Sequence, residues 1–302
     1  MTAANPIQRW LIGPLQLATR GGLRCHPLRP YIWRYIIDLR TYYGRFDPPV
    51  EMVTRYEGGI RILTSLSSHI EAQIFWQGFQ EADEGTINCL KAALPEDGVF
   101  IDIGANVGTF TLVGAKRAPR GEVHAFEPSA YHFKRLADNI ALNGFRNVQL
   151  NQLGLFDEAA EATLYLPLTQ GEMSNTGAAS MFKVEGVAAP FDQQETISLI
   201  RLDDYVTEHN LNRLDIIKID IEGAELKALH GAVETLRRFR PLVLMEVDLA
   251  NLARAGATPV EVLEFWHDLN YRVKRIDGSG SGTPIAAAED FKPHQNILCV
   301  SN

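Results

Sequence analysis

Residues 100–108 read FIDIGANVG, an apolar run that passes into a turn with two glycines. The run predicts a buried strand over 99–103, and the segment after it predicts a helix over 106–118. Gly104 allows the backbone to turn tightly, and Gly108 allows the helix to approach a ligand. The start of the helix also offers free N–H groups to an anion. This order of strand, glycine turn and helix indicates a ligand site at the end of the strand.

From about residue 97 onward, predicted strands alternate with predicted helices, as in a parallel α/β sheet. The seven strands are predicted over 99–103, 123–126, 148–152, 214–219, 242–247, 271–276 and 296–300. The last two are expected to form an antiparallel hairpin at the edge of the sheet. One helical stripe is predicted between strands four and five, formed by Leu226, Leu229, Val233 and Leu236.

The charge of the chain is unevenly distributed. The 302 residues carry a net charge of -8, which argues against a general nucleic-acid binder. Residues 1–50 nevertheless hold seven arginines, no lysine and two acids, a balance of +5, so the other 252 residues carry -13. This arginine-rich start predicts two short amphipathic helices separated by Gly21-Gly22, followed by a β-hairpin around residues 57–59. It either packs as a plain extension or meets an anionic membrane surface, an acidic substrate or the second copy of a homodimer.

The cysteines and the apolar runs indicate the compartment. Cys25, Cys89 and Cys299 are odd in number and far apart, without disulfide or zinc-site spacing. No stretch approaches 18 uninterrupted apolar residues, and the N-terminus lacks the pattern of a signal peptide. We therefore expect a reduced, cytoplasmic protein without a transmembrane segment.

The second predicted strand ends in Glu127, 23 residues after Gly104. In nucleoside-binding α/β folds, an acidic residue at this position accepts hydrogen bonds from the ribose hydroxyls. Asp102, at the end of the first strand, is placed to accept hydrogen bonds from a bound amine. A nicotinamide site would need Gly-x-Gly-x-x-Gly for a pyrophosphate, whereas the spacing here is Gly-x-x-x-Gly. The pattern indicates a nucleoside that carries an amino-acid group, and S-adenosylmethionine fits.

A third group of polar residues follows the fourth and fifth strands. Lys218 and Asp220 project to the same face of a strand, and Asp220 lies at its carboxyl end, while the next strand ends near Glu246. Carboxylates that converge at strand ends are costly to bury alone, which indicates a cation, a proton or a hydroxyl substrate. For Lys218 a salt bridge to a neighbour in the sheet is the favoured interpretation. Helix capping is the alternative role for Glu222 and Glu225.

Several of these segments, in this order, resemble the FkbM family of S-adenosylmethionine-dependent methyltransferases. They are IDIGANVGTFTL, FEPS, NIALNG, LDDYV, KIDIEGAELKALHGA and RPLVLMEV, which lie between about residues 85 and 275. The resemblance implies a class I methyltransferase fold, with a Rossmann-like seven-stranded sheet, and in most members O-methylation of a hydroxyl on a sugar, polyketide or related small molecule.

The resemblance also implies roles for individual residues. The methionine part of the cofactor would contact Asp102, Gly104, Ala105, Asn106 and Gly108. The ribose would contact Glu127 and Pro128, and the adenine would contact Gly154 and Leu155. The reaction end would be lined by Asp220, Glu222 and Glu246. Asp220 borders both the cofactor and the acceptor, and we expect it to act as the base or as the group that orients the acceptor. A divalent metal held by Asp220 and Glu246 is an alternative, although no dedicated ligand spacing supports one.

The predicted organisation is an N-terminal extension over 1–85 and a catalytic domain over 86–302. Residues 157–200 interrupt the domain after the third strand, and they are a candidate substrate lid, with a decorative hairpin as the alternative. The predicted function is that of a one-carbon transferase acting on a hydroxyl. A carboxyl O-methyltransferase, a nucleotide-dependent oxidoreductase and a catalytically silent cofactor-binding module are the other hypotheses.

Overall fold

A computed structural model describes residues 6–22, 27, 29–43, 46, 49–166, 179–182 and 193–302 of the chain. The chain divides into two compact units, the first comprising the residues up to Glu81 with parts of 167–192, and the second comprising the remainder. The predicted organisation, an extension over 1–85 and a catalytic domain over 86–302, stays a prediction.

The first unit contains three helices and a hairpin. These are α1 (Pro6–Gly22), α2 (Arg29–Tyr43), β1 (Glu51–Tyr56), β2 (Ile60–Ser65) and α3 (His69–Gln77). The strands pair antiparallel, so the two helices and the hairpin predicted for this region are confirmed. Ile12, Ile36 and the rings of Phe75 and Trp76 form the centre of its core, and each is at most 1% exposed.

Arg20 shows that the arginine-rich start has a structural component. Its guanidinium donates to the carbonyl of Ile74 at 2.8 Å, to that of Phe75 at 3.1 Å and to that of Arg55 at 3.0 Å. The last carbonyls of a helix lack partners within the helix, so a cation at this end is favourable. One arginine of the positively charged segment 1–50 therefore caps the C-terminal end of α3.

The second unit is an α/β fold. Its helices are α4 (Glu84–Ala93), α5 (Thr109–Arg117), α6 (Ala130–Asn143), α7 (Leu202–Glu208), α8 (Glu225–His230), α9 (Val233–Phe239), α10 (Leu249–Arg254) and α11 (Pro259–Asp268). Its strands are β3 (Val99–Ile103), β4 (Glu122–Phe126), β5 (Val148–Asn151), β6 (Gly154–Leu155), β7 (Ala160–Leu166), β8 (Gln193–Ile200), β9 (Ile216–Ile219), β10 (Leu242–Asp248), β11 (Tyr271–Ile276), β12 (Gly282–Pro284) and β13 (His294–Ser301).

The main sheet has the order β12-β11-β13-β10-β9-β3-β4-β5. Strands β3, β4, β5, β9 and β10 run parallel, which confirms the predicted class of a mostly parallel, Rossmann-like sheet. The predicted antiparallel pair near the edge is confirmed, because β11 pairs antiparallel with β13. Within the sheet β13 lies between β10 and β11, and the short β12, which was not predicted, adds the outermost strand. Ile297 and Cys299 of β13 have no exposed surface, and a strand with this burial belongs inside a sheet.

Two helix predictions are corrected. The helix expected from residue 106 begins at Thr109, because Asn106 and Gly108 have φ values of 51° and 98°, in the left-handed region. The stripe expected as one helix is divided into α8 and α9 at Gly231, where the chain passes close to the carbonyl of Phe156. An apolar stripe at helical spacing is compatible with one long helix or with two consecutive short helices, because the helical spacing of the apolar residues continues across a short break.

The predicted insertion over 157–200 contributes two long strands of a small sheet. Strand β8 lies between β6 and β7, and the predicted extended pieces 162–166 and 195–200 fall within β7 and β8. The polar stretch around residues 174–177 lies outside the described residues, as does Cys25. Cys89 and Cys299 are buried free thiols. Among the described helices, none has the length and apolar character to cross a bilayer.

Candidate functional site

The turn after β3 approaches its neighbouring strands closely. Gly104 has a φ of 76°, and a Cβ atom there would lie 1.9 Å from the carbonyl oxygen of Asp220. Its N–H donates to the carbonyl of Phe126 at 3.0 Å. Only glycine accommodates this conformation and this approach. The ends of β3, β4 and β9 are thereby brought together. The predicted ligand-binding residues at these ends therefore also lie close to one another.

Glu127 lies directly after β4 and is bonded to the turn. One carboxylate oxygen accepts from the N–H of Asn106 at 2.8 Å, and the other accepts from the N–H of Ser129 at 2.9 Å. The side chain is 8% exposed, and burial raises its pKa to about 7 although both backbone donors lower it. Each oxygen keeps a further lone pair, because a carboxylate accepts about four hydrogen bonds.

Asp102 and Lys218 form a buried pair behind the turn. Asp102 has no exposed surface, and one of its oxygens accepts from the hydroxyl of Thr111 at 2.5 Å. The Nζ atom of Lys218 lies 3.8 Å from the other oxygen of Asp102 and 3.3 Å from Asp220, and it donates to the carbonyl of Gly104 at 3.1 Å. The predicted salt bridge of Lys218 within the sheet is confirmed. The contact of Asp102 with a cofactor amine stays a prediction, and the full burial of this carboxylate favours an indirect role.

Asp83 is a member of this group that the sequence analysis missed. It precedes α4, is half-buried and interacts electrostatically with Asp220, Lys218 and Asp102. Burial, followed by the charge of Asp220, raises its pKa to about 7. An aspartate at the start of a helix is usually interpreted as a cap, so no sequence signal distinguished it.

Three carboxylates converge at the carboxyl ends of β9 and β10. Oxygens of Asp220, Glu222 and Glu246 lie within 4.8 Å of one another, a spacing at which they could hold a metal ion. Asn251 donates to Glu222 at 2.5 Å. Burial and the charge of Asp220 raise the pKa of Glu222 to about 8, and the same two causes raise that of Glu246 far above its usual range. These acids fit a proton, a cation or a hydroxyl donor between them.

Histidine and asparagine side chains beside these carboxylates were also missed. The ring nitrogens of His294 lie 3.5 Å from Glu246 and 3.5 Å from Asp248. His294 comes from β13, opposite Asp248 in the register, and that pairing brings together residues 46 positions apart in the chain. Glu225 begins α8, but its side chain accepts from the N–H groups of Ile221 and Gly223, which precede the helix, so it holds the turn before α8 and does not cap the helix.

The residues predicted beside adenine lie on β6. A Cβ atom on Gly154 would be 3.8 Å from Pro128, so this glycine lies next to the segment that follows Glu127. Leu155 packs into the main core and is 2% exposed. Its contact with adenine stays a prediction.

A family model described as "Methyltransferase FkbM domain" matches residues 102–273, more than half of the chain. This range begins at Asp102 and contains the glycine turn, Glu127 and the three converging carboxylates. The chain belongs to the FkbM methyltransferase family. The family resemblance expected from the sequence motifs is confirmed.

Relatives in the FkbM family are distant. "Methyltransferase 1" of Beauveria bassiana is 31% identical over 150 residues, 46% of this chain and 60% of that protein. "31-O-demethyl-FK506 methyltransferase FkbM" of Streptomyces tacrolimicus is 27% identical over 157 residues, 45% of this chain and 60% of that protein. The chain thus spans about three fifths of the length of these relatives. The crystal structure of an FkbM methyltransferase from Methylobacillus flagellatus KT shares 16% identity, covers 68% of this chain and 44% of that chain, and has a TM-score of 0.43.

Proposed function

We propose that the chain is an S-adenosylmethionine-dependent O-methyltransferase that acts on a hydroxyl group of a small molecule. The observation that carries the proposal is the convergence of Asp220, Glu222 and Glu246 beside the glycine turn. Membership in the FkbM family supports methyl transfer, and the name of the Streptomyces relative supports oxygen as the acceptor atom. The oxidoreductase hypothesis loses its support, because the turn has Gly-x-x-x-Gly spacing and the matching family is one of methyltransferases.

At the cofactor end, Glu127 is the group for the ribose hydroxyls. Its carboxylate is held by Asn106 and Ser129, so the free lone pairs have a fixed direction. The methionine part would lie over Gly104 and Ala105, and the adenine beside Pro128 and Gly154. The backbone hydrogen bonds fix the Glu127 carboxylate before the cofactor binds, which lowers the conformational entropy lost on binding.

At the reaction end, the chemistry requires alignment and removal of one proton. The acceptor oxygen forms a bond to the methyl carbon while the bond from that carbon to sulfur breaks, and the sulfonium becomes a neutral thioether. Because the methyl group is already activated, the protein mainly has to align the two partners and exclude water. The hydroxyl proton leaves to a positioned base during transfer.

Asp220 is the base or orienting group in this proposal. The Nζ atom of Lys218 lies 3.3 Å from it, and a carboxylate oxygen of Glu246 lies within 4.8 Å of it. Glu222 and Glu246 enclose the acceptor hydroxyl from the other sides. A divalent cation on the same three carboxylates would instead lower the proton affinity of the acceptor.

The insertion over 157–200 is proposed to border the acceptor. Its described residue Ser180 is 1% exposed and donates to the carbonyl of Glu222 at 2.9 Å. The contact supports a place for the insertion beside the reaction end.

The test combines cofactor titration with an acceptor screen. Calorimetry should show S-adenosylmethionine binding to the full chain. In a coupled assay with S-adenosylmethionine, the addition of a hydroxylated sugar, polyketide or aromatic acceptor should lead to formation of S-adenosylhomocysteine. An absence of cofactor binding would refute the proposal, and turnover on carboxylates alone would replace hydroxyl transfer by carboxyl methylation. Activity that a chelator abolishes and Mg²⁺ restores would assign the three carboxylates to a metal.

A further inference from the structure

The acids behind the glycine turn outnumber their cation. In the part of the chain that the structure describes, the ammonium of Lys218 interacts with the carboxylates of Asp83, Asp102 and Asp220. When all three acids are ionised, two negative charges remain after one is neutralised by lysine. Buried charge without a partner is costly, so a site with this surplus favours a cationic ligand.

Asp83 does not cap its own helix with its side chain. It occupies the N-cap position of α4, where an aspartate ordinarily accepts from an N–H of the first turn. Its side chain makes no such bond. It lies within electrostatic reach of Asp220, Lys218 and Asp102, and burial, followed by the charge of Asp220, raises its pKa to about 7.

The backbone around Asp83 is held by polar and close contacts. Asn296 donates to the carbonyl of Ala82 at 3.2 Å, and Asn296 lies opposite Glu246 in the register of the sheet. A Cβ atom on Gly85 would be 2.1 Å from the carbonyl oxygen of Asp277. The start of α4 is therefore fixed against the loop after β11 and the end of β13, and a binding group on such a support keeps its direction.

Asp102 and Asp83 differ in whether a ligand can reach them. Asp102 has no exposed surface, and its oxygens face Thr111 and Lys218. Asp83 keeps some exposed surface. Asp83 also lies before residue 102, where the match to the FkbM family begins.

We propose that Asp83 is a further cofactor-binding residue, whose carboxylate accepts a hydrogen bond from the ammonium group of the methionine part of S-adenosylmethionine. Asp102 and Lys218 are then positioning residues that hold the turn beneath this group. The inference rests on the proposed function, because it needs a cofactor that carries an amino-acid ammonium.

Calorimetric titrations of the full chain with three nucleosides test the contact between Asp83 and the ammonium group. S-adenosylmethionine has an ammonium and a sulfonium, S-adenosylhomocysteine has the ammonium and a neutral sulfur, and 5′-methylthioadenosine has neither cation. Asp83→Asn should weaken binding of the first two about tenfold, the effect of losing one charge-assisted hydrogen bond. Binding of 5′-methylthioadenosine, measured by competition with S-adenosylhomocysteine, should change less than about twofold on the same reasoning.

Glu84→Gln is the matched control, because Glu84 is the exposed neighbour in the first turn of α4. It should bind all three nucleosides as the wild type does. Equal binding of the first two by Asp83→Asn and wild type would overturn the inference, and so would an equal loss for all three, which indicates a structural role. A wild-type chain that fails to bind S-adenosylmethionine would refute the proposed function itself, and the inference with it.

Discussion

Glu127 and the trio of Asp220, Glu222 and Glu246 are both acidic sites, the first buried and the second half-buried, and they are stabilised differently. Glu127 is held by two backbone N–H groups. The trio faces mainly its own members, with Asn251 on one side and Lys218 on another. Backbone donors prepare a carboxylate for neutral hydroxyls, whereas acids that face each other require a proton or a cation. The first arrangement suits recognition of a ribose, and the second suits a step in which charge and protons move.

The largest expected effect is at the reaction end. Asp220→Asn removes the proposed base, so kcat should fall by about 10² to 10⁴, while affinity for S-adenosylmethionine falls far less. The measurement is S-adenosylhomocysteine release with an acceptor found in the screen, beside a calorimetric titration. Asp268→Asn, an exposed aspartate with 83% side-chain exposure, should behave as wild type. Turnover of Asp220→Asn within threefold of wild type would remove Asp220 from the proposed mechanism.

A smaller effect is expected at the cofactor end. Glu127→Gln sets an amide N–H₂ against one of the two backbone donors, so binding of S-adenosylmethionine should weaken about tenfold or more, at roughly 1.4 kcal/mol per tenfold. Because the change acts on the ribose, S-adenosylhomocysteine and 5′-methylthioadenosine should weaken by the same factor. Glu122→Gln, on the exposed end of the same strand, serves as the control. Unchanged affinities for all three nucleosides would dissociate Glu127 from the ribose.

The smallest effect concerns stability in the absence of cofactor. The pKa of Glu246 is raised above its ordinary 4.5 by burial and by Asp220 and Glu222, so the folded chain keeps a proton that the unfolded chain releases. The resulting stabilisation is present below pH 4.5 and is lost as the pH rises through the range in which the folded acids ionise, about pH 8 for Glu222.

Glu246→Gln cannot ionise and retains a hydrogen-bond donor. Its free energy of unfolding should exceed that of wild type by roughly 1–3 kcal/mol at pH 8 and should match it near pH 4.5, at about 1.4 kcal/mol per pKa unit. Denaturant unfolding at both pH values measures the difference, and Glu264→Gln, on the exposed face of α11, should show none. Parallel pH profiles for wild type and Glu246→Gln would contradict this account of the trio.

Much of the fold could be predicted because its signals are local. Strands β3 and β11 have the predicted bounds. The features that were not predicted arise from contacts between distant segments. The insertion of β13 between β10 and β11 depends on strand pairing, and the break at Gly231 depends on Phe156, which lies 75 residues earlier.

The candidate site was predictable to the same extent. Asp220 and Glu246 end adjacent strands, so their convergence follows from strand order. His294 and Asp83 come from segments that contact these strands only in the folded chain, and neither belongs to a motif. The burial of Asp102 also depends on packing, because its bond to Thr111 reaches from β3 to α5.

The surplus of carboxylates around Lys218 has a consequence for the end of the catalytic cycle. In the proposed reaction, methyl transfer converts a cationic sulfonium into a neutral thioether. Once the proton taken up by Asp220 has passed to solvent, the carboxylates again carry their negative charges, while the cofactor has lost its positive one. Under the proposed function, the same electrostatic field that attracts S-adenosylmethionine would hold S-adenosylhomocysteine less tightly. Product inhibition would then be weak, and the charge lost in the chemical step would favour exchange of the spent cofactor for a fresh one.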